Sequence, residues 1–366
     1  MKLECSRKDL FDALVLTAAA SSTRSSNPIL QTLRLTADGS SLTLLGCDSE
    51  MWAERRILAS VTEPGSICVE AALLRDLVAK LGDGPITLTL ENGNFFIRTS
   101  MSEWRMMVLP ADDFPPIPAV EARSELRLNM GDYRRAVDGV SFAVADDSSR
   151  IILTGVFMQY DGNTLTLVAT DTHRLAVLRL EKEGIGSDIK VVVPEKALKA
   201  VKNLPIDDAS EVTISFDETR IFVDTGDGKV VSQLLIGNYP QWEKVVPAEA
   251  TRSWTLDRAE LIENVGRAMI LARGNANRIK FSGHGDQITI SARSEDKGEA
   301  KEEVATVSKN GDIDIAFNGH YVIQALSALN CDAIIADMTE SSRPAVFRPT
   351  EAQDGHYCVI MPMALN

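Results

Sequence analysis

One histidine in this chain stands beside both an acid and a base: His173 in "TDTHRLAV", two residues after Asp171 and next to Arg174. A positioned imidazole that titrates near neutrality could move a proton in acid–base chemistry. Nothing else in the sequence extends that idea. The other three histidines, His284, His320 and His356, are scattered. There is no HExxH, no GxSxG elbow and no Walker A loop. The segment "TGDGKVV" at 225–231 lacks the phosphate-loop spacing and reads as a hairpin turn. Asp48 and Asp171 sit 123 residues apart (171 − 48) at matching places of a repeat. That recurrence suits a turn or cap role better than a carboxylate pair. The five cysteines, Cys5, Cys47, Cys68, Cys331 and Cys358, include no CxxC pair. They read as buried free thiols of a reducing cytoplasm. No metal site, no cofactor and no enzymatic activity are expected.

The elements that carry these residues occur three times. Turns centred on Gly39, Gly162 and Gly285 lie 123 apart (162 − 39 and 285 − 162). Each is flanked by alternating strand-like runs, the pattern of a β-hairpin. A second marker, a short strand running into an apolar helix, recurs at Val69, Val193 and Phe317, 124 apart (193 − 69 and 317 − 193). A unit this long is a domain, not a solenoid repeat. Each third opens with an amphipathic helix, over about 6–20, 129–145 and 256–272, the last with its N-cap between Thr255 and Asp257. A second helix is expected over about 69–81, 194–204 and 317–329, followed by another hairpin. The segments "LPADDFPPIP" and "IGNYPQWEKVVP" read as linkers. The chain therefore divides at 1–120, 121–248 and 249–366, three α+β domains with antiparallel sheets.

Charge is uneven. The chain carries −14 overall, which by itself argues against nucleic acid. The six expected helices nevertheless carry eleven basic and ten acidic residues, a net +1 that leaves −15 elsewhere. Lys196, Lys199 and Lys202, three apart, align loosely on one helix face. One reading is an ordinary solvated face; the other is a helix layer turned to a polyanion. No run of 18 apolar residues is present, so no membrane helix is expected.

Several segments together closely resemble the bacterial DNA polymerase III beta-subunit family of sliding clamps. They are "NPIL" at 27–30, "VATDTHRLAV" at 168–177, "VVVPEKAL" at 191–198, the "YP" at 239–240 and the terminal "VIMPM" at 359–363. The resemblance covers the whole chain. It implies a head-to-tail homodimer, a six-domain ring with helices lining a central hole and sheets outside, closed around double-stranded DNA without reading sequence. It also implies partners: the replicative polymerase alpha subunit, a clamp-loader ATPase, and other polymerases, ligase and mismatch-repair proteins that dock through short linear motifs with leucine or phenylalanine anchors. The location implied is cytoplasmic, at the nucleoid.

Site residues carry over on matching positions. The partner-peptide pocket would use Leu153, Thr170, Thr172, His173, Arg174 and Leu175, with Pro240, Lys244 and Val245 from the linker. Tyr321, Val359, Ile360, Met361, Pro362 and Met363 would complete it, although "VIMPM" on its own, without the resemblance, reads as a final core strand. DNA would be faced by Arg24, Arg150 and the three helix lysines. The dimer would close Trp104 and Met106 against Ile270 and Leu271, with Arg98 and Arg105 opposite Glu299, Glu302 and Glu303. Four positions depart from the family pattern: Ala364 and Lys244 stand where arginine is common, Thr172 where glycine is frequent, and Ile151 with Ile152 where some members have aromatic residues. These departures motivate an alternative, a specialised copy with altered partner or inhibitor binding.

Overall fold

The computed structural model describes residues 1–119, 121–182, 184–185, 189–351 and 355–365; the boundary expected at residue 120 falls outside them. Six α-helices form among the described residues: α1 (Arg7–Ala19), α2 (Ala71–Lys80), α3 (Met130–Ser141), α4 (Glu195–Lys202), α5 (Arg258–Ala272) and α6 (Gly319–Ala328). All six lie within the expected spans. Ser6 caps α1 by accepting from the Asp9 amide, Asp257 caps α5 at Glu260, and Asn318 caps α6 at His320. Glu70 and Asp257 prove to be cap positions, so the helices proper carry eleven basic and eight acidic residues. None of the described helices is long and apolar enough to cross a membrane.

The three repeated hairpins are present as read. Strands Thr32–Asp38 and Ser41–Cys47, Gly155–Tyr160 and Thr164–Thr170, and Arg278–His284 and Gln287–Ser294 are antiparallel pairs. Gly39, Gly162 and Gly285 take φ of 57°, 99° and 59°, the left-handed turn conformation that glycine adopts without strain.

Two compact units arise, built mainly from Met1–Arg134 with Val193–Leu234, and from Arg135–Lys182 with Leu235–Asn366. Among the described residues the first unit holds a sheet of 14 strands and the second holds sheets of 9 and 4. The ladder does not stop at the sequence repeats. In the first unit, strand Met51–Leu58 of the first third pairs with Gly228–Gln233 of the second. In the second unit, Arg174–Glu181 pairs with Tyr357–Ile360 of the last third. One apolar core lies in the first unit, where Leu10 and Leu14 of α1 and Leu74 and Val78 of α2 pack on Leu35, Leu44 and Leu88.

Four of the five cysteines are buried and Cys331 is partly exposed. Burial pushes the Cys5 and Cys358 thiols up to about 12 and Cys47 up to about 11. Each raised thiol contributes stability that is complete below its unfolded value of 9.0 and is lost as pH climbs towards its folded one. A thiol-reactive dye at pH 8 should therefore label Cys331 alone in the native chain and all five cysteines in denaturant; rapid native labelling of Cys358 would contradict the fold.

Candidate functional site

The turn around His173 is built by its neighbours. Asp171 Oδ1 accepts from the amides of His173 (2.9 Å) and Arg174 (3.0 Å), while Thr170 Oγ1 donates to the Arg174 carbonyl at 2.6 Å. Asp48 does the same in the first third, accepting from Glu50 and Met51 at 3.0 and 2.8 Å. The recurring aspartates are thus turn residues, as their spacing predicts. The turn holds Thr172 at φ 79°, a conformation glycine takes more easily.

That turn forms one wall of a cavity of ≈ 150 Å³, largely apolar, in the second unit. Thr170 stands opposite Leu175 in one strand pair and Leu175 opposite Val359 in the next. Directly opposed residues share a face, so these three side chains form one row of the lining. Met361 is fixed beside them by its amide, which donates to the His173 carbonyl at 2.9 Å. The linker supplies the rest: Pro240, Trp242 and Val245, the latter two in a single 3₁₀ turn, Trp242–Val245. Arg174 lines the cavity yet is only 8 % exposed. Its charge is met by Asp171 Oδ2 at 3.0 Å and by the Gln324 side chain, and its guanidinium lies 4.3 Å over the Tyr321 ring.

Of the fifteen residues expected here, eight line the cavity: Thr170, Thr172, Arg174, Leu175, Pro240, Val245, Val359 and Met361. His173 and Tyr321 are not in the lining; their rings stack on each other with centroids 6.5 Å apart. Lys244 is exposed. Leu153 and Ile360 are buried in the core and present nothing to the cavity. Within "VIMPM", Val359 and Ile360 belong to a core strand, and Val359 and Met361 line the cavity. Met363 instead bonds back to the strand Ile313–Asn318, its amide donating to the Ala316 carbonyl at 2.7 Å. Trp242 was not foreseen, although a lone tryptophan in a polar linker is a signal that it packs.

The comparison with known proteins matches the whole chain. Models of the DNA polymerase III beta subunit match over 1–118 (N-terminal domain), 127–241 (central domain) and 243–364 (C-terminal domain). The beta sliding clamp of Synechocystis sp. is 30% identical over 390 residues, covering 100% of each chain. The chain belongs to the DNA polymerase III beta-subunit family. Among solved structures, the Pseudomonas aeruginosa sliding clamp bound to griselimycin is 29% identical with a TM-score of 0.91, and the Bacillus subtilis clamp 26% identical with 0.91, each over 100% of both chains. The fold is thus the three-domain α+β clamp, and the beta subunit is a non-catalytic processivity factor. These full-length matches do not favour a specialised copy.

The remaining candidate residues are placed less simply. Arg24 and Arg150 are exposed. Lys196 pairs with Asp48, and Lys199 with Glu195 at 2.6 Å; Lys202 also has a partner. Trp104 and Arg105 are exposed, as is Ile270, while Leu271 is half-buried. Met106 differs from expectation. It shares a face with Trp104 but lies opposite Phe95 over the core, leaving it 5 % exposed, whereas Met107 on the other face is 79 % exposed. Four of the five charges expected to pair across copies are occupied within one chain. Arg98 bonds Glu91 at 2.8 Å and Glu103 at 2.5 Å; Glu302 bonds Arg267 at 3.1 Å, Glu303 bonds Lys301 at 2.9 Å, and Glu299 lies 3.5 Å from Arg293.

Proposed function

We propose that the chain closes with a second copy into a ring that encircles double-stranded DNA and tethers the replicative polymerase to it. Family membership over the full length is the observation that carries this reading. The domains are taken as 1–120, 121–248 and 249–366, three per copy and six per ring. Two free sheet edges support head-to-tail closure. Strand Glu103–Leu109 is paired on one side from Glu103 to Met107, but on the other only at Val108 and Leu109. Strand Gly298–Ala305 ends the four-stranded sheet with its outer edge open. Joining these edges would satisfy both rows of backbone groups. Trp104, Arg105, Ile270 and Leu271 are the side chains assigned to that contact; Met106 supports it from inside the core.

Enclosure needs little adhesion. The helices carry a small positive excess on a strongly acidic chain, and Lys196 and Lys199 already hold carboxylates. Exposed ion pairs contribute only about 0–1 kcal/mol, so these lysines can exchange a carboxylate for a passing phosphate at little cost. Together with Lys202, Arg24 and Arg150 they would centre a duplex without arresting it. The cavity at Leu175 and Trp242 would take the leucine or phenylalanine anchor of partner peptides, from the polymerase alpha subunit, other polymerases, ligase and mismatch-repair proteins. A separate clamp-loader ATPase would supply the energy for opening. The site of action is the cytoplasm, at the nucleoid.

The test is topological. Loaded onto nicked circular DNA, the protein should stay bound through a high-salt wash and leave once the circle is cut. Release by salt before linearisation would refute enclosure.

A further inference from the structure

Two junctions of this chain follow one plan, and side-chain bulk separates them. At the second, the row Thr170–Leu175–Val359 lies beneath the linker residue Trp242 and borders the ≈ 150 Å³ cavity. At the first, Cys47 stands opposite Trp52 and Trp52 opposite Val231, beneath the linker residue Phe114. The offsets are regular: 170 − 47 and 175 − 52 are both 123, while 359 − 231 and 242 − 114 are both 128. The turns match as well, since Asp48 and Asp171 accept the same pair of amides and Ser49 and Thr172 both take positive φ. One strand further out, Phe222 opposes Val231 where Val346 opposes Val359.

Where the second junction has an isobutyl group, the first has an indole. Trp52 is 9 % exposed and packs in one cluster with Leu30, Phe114 and Val231. Its Nε1–H is buried without a hydrogen-bond partner. A buried indole normally finds an acceptor, and leaving the N–H unmet is costly. Leucine in its place would carry no such cost. The position is therefore better explained by the volume it fills than by any polar contact.

We propose that Trp52, backed by Phe222, is a built-in plug that confines partner docking to one junction per chain. The inference rests on the reading of the Leu175 cavity as the peptide pocket. It adds a specificity determinant remote from that pocket: the repeat generates two sites of one design, and bulk at a single ladder position closes the first. With two equivalent pockets open, one copy could hold two partners at once; with the plug, each copy presents one.

The test uses the full-length protein and a synthetic hexapeptide bearing leucine and phenylalanine, titrated calorimetrically. Unmodified chain should bind one peptide. Trp52→Leu with Phe222→Val gives the first junction the leucine and valine of the second and should raise the stoichiometry to two. Leu175→Trp carries the plug to the second junction and should abolish binding, with the circular dichroism spectrum unchanged. If the double variant folds and still binds one peptide, or if Leu175→Trp still binds, the plug is refuted; should the double variant fail to fold, Trp52→Leu alone takes its place with the same two outcomes. Absence of binding by the unmodified chain would instead remove the pocket reading, and the plug with it.

Discussion

Ile270→Ala combined with Leu271→Ala should yield a monomer. Both residues lie in the last turn of α5, where Ile270 is 66 % exposed in the single chain. An isoleucine so placed gains about 1.5–3 kcal/mol if a second copy covers it, and the neighbouring leucine adds a similar share of its remaining surface. A head-to-tail ring has two such contacts, so each loses both side chains. At about 1.4 kcal/mol per factor of ten, the dissociation constant of each contact should rise by roughly 100-fold or more. Light scattering should then read 39.9 kDa for the variant and twice that for the unmodified protein. A variant that remains dimeric at micromolar concentration would move the contact elsewhere. The ion pairs should matter less, because Arg98, Glu299, Glu302 and Glu303 are already satisfied within one chain.

Trp242→Ala should remove peptide binding and lower stability together. The indole is 5 % exposed, packs with Val168, Leu175, Val346 and Val359, and borders the cavity. Truncating a buried tryptophan costs about 3–5 kcal/mol through lost contacts and the void left behind. Here the void would merge with the pocket, so a leucine anchor would lose its wall as well. The expected result is a clear fall in the thermal midpoint and no detectable affinity for the anchor peptide. Full affinity in Trp242→Ala would show that the anchor binds elsewhere, whatever happened to stability.

The repeated elements were legible because their signals are local. Asp38-Gly39 and Asp161-Gly162 sit between alternating strand-like runs and so mark a hairpin, and the apolar spacing at Leu10, Leu14 and Ala18 marks one buried face of α1. What joins the thirds was not legible. Gly228–Gln233 and Tyr357–Ile360 read as ordinary strand-like runs, and nothing local names a partner more than a hundred residues away. Most of the candidate pocket was found through the family motif, yet Trp242 was missed because linkers are read as polar spacers. The burial of Met106 is hidden from the sequence for a different reason. Trp104 and Met106 share strand parity, and only the extent of the core beneath them decides that one is covered and the other is not. The intrachain bonds of Arg98 and Glu302 depend on rotamers, which composition cannot supply.

The strand pairing that crosses from one repeat to the next has a mechanical consequence. Five successive residue pairs, from Gly228 opposite Arg55 to Ser232 opposite Met51, fuse the first seam, and four, from Arg174 opposite Ile360 to Val177 opposite Tyr357, fuse the second. Such a seam behaves as a welded beam: bending it means breaking several main-chain bonds at once, so it transmits load instead of yielding. A loader prying at the proposed ring would find these welds rigid and would part it where two copies meet.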